Sequence, residues 1–261
     1  MTALLYQIDE RGVAYLTLDR PDVHNAFNEE LISELSDAFT DLATHDRVRV
    51  IVLQGNGNSF SAGADLEWMR RIAAASEAKN REDAQRLSDM LYLIDSCPKP
   101  VIAKVHGNAF GGGVGLIACA DVAVAIRSVR FAFTEVRLGL IPAAIAPFVM
   151  KAIGSRHARR FFLTAEPIDA ACAQEIGLLH KLVADESDLH DQVEYFIGLL
   201  LTNAPGAMSE AKSLIHDFAE RPITPELRSD SARRIASLRA SQEGQEGIAA
   251  FLEKRRPNWV H

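Results

Sequence analysis

The sequence is short of cysteine, of positive charge and of long apolar runs. Its 261 residues include three cysteines, Cys97, Cys119 and Cys172, far apart and without C-x-x-C spacing. That excludes a disulfide ladder and a cysteine-based redox motif, and leaves three reduced thiols in or near a core. Lys and Arg number 28 against 35 Asp and Glu, a net charge of −7. Nucleic acid and anionic membranes both call for the opposite balance, so neither is expected as a partner. No apolar stretch approaches the roughly 18 residues of a membrane span. The opening residues, MTALLYQIDERG, carry no basic, apolar or Arg/Ser-rich leader pattern, and a cytoplasmic location is expected. Low-complexity linkers, sequence repeats and metal-ligand clusters are also lacking, so no metal site is expected.

What is present is a pattern of short strands and helices. VAYLTL (13–18) alternates as a strand, and Asn28 can cap a helix running to about Ala43. VRVIVLQ (48–54) is the next strand, followed by the loop GNGNSFSAGAD. Residues 66–96 read as polar helix ended by Pro98 and Pro100. PVIAKVHG is a strand, 112–120 a short helix, and VAVAI and RFAF are further strands. Loops and short helices are expected over 138–180, and a last strand at 181–184. From 189 onward the chain reads as helix with breaks at prolines. The expected division is a core over 1–188 and a helical region over 189–261.

The segment GGGVGLIACAD (111–121) contains G-x-G-x-x-A, the dinucleotide fingerprint, with an acid, Glu135, further on. The context does not fit. A fingerprint joins one strand to a helix and places its acid at the end of the next strand. Here Asp121 follows a very short helix directly, and two short strands intervene before Glu135. Close packing explains one or two glycines. It does not explain a second small-residue loop, Ser61-Ala62-Gly63-Ala64-Asp65, also placed between strand and helix. Two such loops can each aim a backbone N–H at one oxygen atom, which is an oxyanion hole.

The segments FSAGADLEWM, KPVIAKVHGNAFGGGVGLIACAD, FAFTEVRLGLIP and AFLEKRRP, in that order and spacing, resemble the crotonase (enoyl-CoA hydratase/isomerase) superfamily over nearly the whole chain. The resemblance implies an α/β fold, a spiral of ββα turns with a C-terminal helical region that packs trimers. It implies that the N–H groups of Ala64 and Gly112 hold the thioester oxygen of an acyl-CoA. It places the CoA against Val23, Asn25, Ala26, Ala62, Asp65, Leu66 and Gly111. It also matches Phe251 and Lys254 to a C-terminal contact with a neighbouring subunit's CoA. The partners implied are an acyl-CoA substrate and further copies of the chain, as a trimer or dimer of trimers. No cofactor is implied, coenzyme A being part of the substrate.

Family hydratases usually carry two glutamates. Glu135 matches one; the other position is Gly115 here. The expectation is that Glu135 alone activates water and returns the proton, with water or a bulky acyl group filling the space at Gly115. A Δ3-Δ2-enoyl-CoA isomerase, which needs one base, is the alternative. The variant EVRLGLIPAAIAPF is most similar to bacterial hydratases of branched 3-methylglutaconyl-CoA and isohexenylglutaconyl-CoA. A distal carboxylate would require a basic or hydrogen-bonding partner, since burying it unpaired costs several kcal/mol. Arg70 and Arg71 lie on a plausible wall helix, though a solvated face suits them better.

Strand alternation would put Glu135 and Arg137 on one side. Asp65 reads as a helix cap, and Asp121 as a partner for backbone groups. His24 reads as a surface group and His106 as structural, while Trp68 and Met69 suit either the core or the acyl pocket. A non-catalytic RNA-binding or scaffold protein on the same fold is a rival that the acidic balance opposes.

Overall fold

Strand β1 (Leu4–Ile8) pairs antiparallel with β2 (Val13–Leu18) in the computed structural model, which describes residues 2–260. β1 lies ahead of the first strand expected from the sequence. Asn28 caps α1 (Glu29–Thr44) as expected, accepting from the Leu31 N–H at 2.9 Å. Such a cap is worth about 1 kcal/mol.

Each following turn supplies one strand to a large sheet and one to a small sheet. β3 (Val50–Gly55) leads to β4 (Ser59–Ser61), β5 (Val101–Val105) to β6 (Asn108–Phe110), and β7 (Val122–Ile126) to β8 (Arg130–Ala132). The small sheet ends on β9 (Ile168–Asp169) and the large one on β10 (Lys181–Val183). The large sheet has the order β1-β2-β3-β5-β7-β10 and the small one β4-β6-β8-β9. From β2 to β10 the large sheet is parallel. A parallel sheet covered on both faces needs continuous apolar strands, and Val50–Leu53 and Val101–Ala103 are buried without alternation. This is the α/β spiral expected from the motifs.

Three helices follow the first strand pairs. The polar stretch expected as one helix is two, α2 (Leu66–Ala73) and α3 (Glu77–Asp95), the second capped by Ser76. α4 (Gly112–Cys119) is short and buried along nearly its whole length. Beyond β8 the loops and short helices expected are found: a 3-10 turn spans Glu135–Leu138, and α5 (Ala146–Thr164) is two short helical segments that meet at a kink. Pro147 falls in the first turn of α5, where no intrahelical N–H is lost, and Gly154 (φ +73°, ψ 156°) separates its two helical segments.

α6 (Ala170–Glu175) connects β9 to β10. The expected boundary at residue 188 falls inside α7 (Glu186–Leu201), which packs against β3, β5, β7 and β10 and belongs to the core. Beyond it, α8 (Pro205–Phe218), α9 (Pro225–Ala240) and α10 (Gln242–Leu252) bury only Leu227 and Ala250. Polar contacts tie α8 to the core. Lys212 pairs with Asp121 at 2.7 Å, and His216 Nε2 lies 2.9 Å from the Asp95 carbonyl oxygen. Asp121 also accepts the Val101 N–H at 2.7 Å, the backbone role expected of it.

Candidate active site

The loop before α2 is held by an isolated parallel bridge between Phe27 and Ala64. The Phe27 N–H donates to the Gly63 carbonyl at 2.6 Å, and the Asp65 N–H donates to the Phe27 carbonyl at 2.9 Å. In this pairing the residue between the two bonds turns its own N–H to the other side. The Ala64 N–H accordingly has no acceptor among the described residues.

A buried polar scaffold stands behind this loop. Asn25, fully buried, donates to the Asn56 and Ser59 carbonyls at 2.8 Å and accepts from the Arg20 N–H. Ser61 donates to the Asn25 carbonyl and accepts from the Gly63 N–H. Asp65 caps α2, as expected, through the Glu67 and Trp68 N–H groups, and pairs with Arg20 at 2.9 Å. Burial alone would raise the Asp65 carboxyl; the Trp68 N–H, the Arg20 guanidinium and the Glu67 N–H outweigh it and hold the group below its ordinary value. The Ala26 carbonyl accepts from the Arg20 guanidinium. Asn25, Ala26 and Asp65, expected beside the CoA, therefore direct these polar groups into the protein.

The glycine turn is packed on all sides. Gly111, at φ +46°, leaves no room for a side chain: a Cβ there would stand 2.9 Å from Glu135 Oε1. A Cβ on Gly113 would meet the Ser61 carbonyl oxygen at 2.7 Å, so the two small-residue loops lie against each other. Gly112 opens α4, and the first N–H groups of a helix have no intrahelical acceptor. The Gly112 N–H, like that of Ala64, donates to no group among the described residues.

Glu135 opens the 3-10 turn instead of continuing β8. Strand alternation therefore does not apply, and Arg137 turns away to donate to the Ala165 carbonyl at 2.7 Å. Glu135 Oε2 is buried without a hydrogen-bond partner among the described residues. Burial pushes the carboxyl above its ordinary value, with only its own backbone N–H opposing. Arg137 does not oppose this, and Glu135 is a base of raised affinity for protons.

These groups meet in one cavity of about 360 Å³. Ala62, Ala64, Leu66, Gly111, Gly112 and Glu135, all singled out from the sequence, line it. Trp68 and Met69 line it too. Arg70 and Arg71 do not: they pair with Glu67 and Glu29 on the exposed face of α2. Val23 is exposed outside the cavity, and Phe251 and Lys254 lie on the helical region away from it. His24 is exposed, and His106 bonds the Gly57 carbonyl, both as expected.

The space at Gly115 is not free for water or acyl chain, contrary to expectation. Ile145 fills it, with Cγ2 2.6 Å from where a Cβ would be. The wall from Leu138 to Ile145, together with Thr134 and Leu87, was missed as part of the site. Its one signal was the variant EVRLGLIPAAIAPF, residues 135–148.

A model of the enoyl-CoA hydratase/isomerase family matches residues 9–261. A crotonyl-CoA hydratase of Syntrophomonas wolfei subsp. wolfei is 32% identical over 253 residues, covering 96% of this chain and 95% of that protein. The crystal structure of an enoyl-CoA hydratase from Shewanella pealeana superposes with a TM-score of 0.95 at 42% identity, covering 98% of this chain and 96% of its own. That of an enoyl-CoA hydratase from Mycobacterium smegmatis gives 0.93 at 34% identity and covers 100% of both chains.

Proposed function

The chain belongs to the enoyl-CoA hydratase/isomerase family, and from that premise we propose that it adds water reversibly to a 2-enoyl-CoA with Glu135 as its single catalytic carboxylate. The observation that carries this reading is the meeting of Glu135 with two unpartnered N–H donors, Ala64 and Gly112, in one cavity. Water attacks the β-carbon and gives a proton to Glu135. The π pair moves onto the thioester oxygen, where the two N–H groups meet the new charge. Glu135 then returns the proton to the α-carbon, so that H and OH are added and nothing else is consumed. Losing one such donor typically costs about 3–4 kcal/mol of transition-state stabilisation.

The acyl group is best read as branched; a second carboxylate of the glutaconyl class would rely on a hydrogen-bond donor, since the described lining holds no cation to receive it. The free thiols of all three cysteines suit the cytoplasm.

Gly115 favours a second reading, a Δ3-Δ2-enoyl-CoA isomerase, because moving a proton from C2 to C4 needs one base only. Labelled water separates the two. A 2-enoyl-CoA incubated in H₂¹⁸O takes label at the β-carbon if the chain is a hydratase. Migration of the double bond in a 3-enoyl-CoA, with no hydration of any 2-enoyl ester including glutaconyl types, would establish the isomerase.

A further inference from the structure

Hydration asks two things of the attacking water: an acceptor for the proton it loses, and an orientation that aims its lone pair at the β-carbon. Glu135 meets the first. A carboxylate at position 115 could have shared the second, but Gly115 has no side chain and Ile145 closes the space, so that wall is hydrocarbon. Trp68 Nε1 points to Asp83 at 3.3 Å. Among the described residues of the lining, one carboxylate and one side-chain hydroxyl then remain, Glu135 and its chain neighbour Thr134.

Thr134 stands at the bend between β8 and the 3-10 turn, with φ −97° and ψ 1°. Its side chain does not cap that turn, and its hydroxyl has no hydrogen-bond partner among the described residues. Beside it, Glu135 Oε2 is buried and unpartnered among the described residues. A buried carboxylate oxygen without a donor is costly, and a water shared with the neighbouring hydroxyl would satisfy both groups.

We infer that Thr134 is a positioning residue: its Oγ accepts one O–H of the attacking water while Glu135 accepts the other. A water held by both hydrogens presents its lone pair to the β-carbon. As the O–C bond forms, the hydrogen on Glu135 is transferred and the one on Thr134 stays with the product hydroxyl. Two adjacent residues on one side of the cavity thus orient the water. This rests on the hydratase reading above.

The inference separates steps that use water from steps that do not. Exchange of an α-hydrogen of a saturated acyl-CoA with D₂O uses Glu135, Ala64 and Gly112, but no attacking water. Thr134→Val keeps the shape and removes the hydroxyl; Thr134→Ser keeps the hydroxyl. Hydration kcat should fall about 10–100-fold in Thr134→Val, with KM within about twofold and α-exchange near wild type. Thr134→Ser should restore hydration to within a few fold. Wild-type hydration by Thr134→Val overturns the inference and leaves the hydratase reading intact. Equal loss of hydration and exchange also overturns it, since that marks a general disturbance of Glu135. A wild-type protein that exchanges α-hydrogens but hydrates no 2-enoyl ester overturns the hydratase reading, and the role of Thr134 with it.

Discussion

Ile145 packs on Gly115 so closely that a Cβ there would stand 2.6 Å from its Cγ2. Both residues are buried, one inside α4 and the other at the start of α5. The missing carboxylate is therefore built into the packing and is not a vacancy that a single substitution can refill.

Gly115→Glu should destabilise the fold by at least the roughly 1–3 kcal/mol of an overpacked core, with the cost of burying a charge in addition. Ile145→Ala alone should cost about 2–5 kcal/mol through the cavity it leaves. The double variant should be more stable than the sum of the two, because each change relieves the other. Urea denaturation of the four proteins measures this coupling. Additive losses would mean that the contact does not decide what position 115 can hold.

Glu135→Gln should lower hydration by about 10²–10⁴-fold while acyl-CoA binding persists. Its effect on stability has a definite sign. Burial raises the Glu135 carboxyl above its unfolded value of 4.5. Between the two values the folded state holds the extra proton, so stability falls as pH rises through that window and stays reduced above it. Glutamine never carries the charge. Thermal melts should show little gain for Glu135→Gln at the acidic end and a rising gain toward pH 8. The wild-type rate should climb with pH through the same raised value. A stability difference independent of pH would count against burial of the charge.

Asp65 presents the opposite case. Its carboxyl is held below the unfolded value of 3.8 by the Trp68 and Glu67 N–H groups and Arg20, against the opposing effect of burial. Its contribution is present above the unfolded value and is lost as pH falls through the folded one. Asp65→Ala removes the α2 cap and leaves the half-buried Arg20 guanidinium with the Ala26 carbonyl. The expected loss at neutral pH is at least about 3 kcal/mol, and less for Asp65→Asn, which keeps a cap acceptor. Because Asp65 follows Ala64 directly, kcat should fall as well. Denaturation and steady-state kinetics on the two variants check both parts.

The glycine turn and the Ala62–Asp65 loop were legible because small residues announce close backbone approach within a few positions. Glu135 was legible through its motif, but its conformation was not: FAFTEV has the composition of a strand, yet the chain bends at Thr134 into a 3-10 turn. The α2 cap at Asp65 was legible, but the partners that hold Asn25 and Asp65 were not. Their hydrogen bonds run to Asn56, Ser59 and Arg20, and no local pattern reveals such partners. Ile145 could not be read against Gly115 for the same reason, since the contact joins two helices distant in sequence.

The helical region carries the last prediction. Ile223, Phe251 and Leu252 are 83%, 82% and 72% exposed in the single chain. Side chains of this kind concentrated on a region with almost no core of its own favour burial against another copy. Lys254 follows α10 at φ +54°, beside Phe251, and neither reaches the cavity of its own chain. A trimer in which both served a neighbour's CoA would account for the apolar exposure and for their lying outside the cavity lining. Sedimentation should therefore give at least a trimer, and Phe251→Asp should yield smaller species with a raised KM. Lys254→Ala should raise KM with little change in kcat, because a contact to the CoA moiety acts equally in the ground and transition states. A fully active monomer would refute the assembly. A large fall in kcat for Lys254→Ala at unchanged KM would remove Lys254 from CoA binding while leaving the trimer standing.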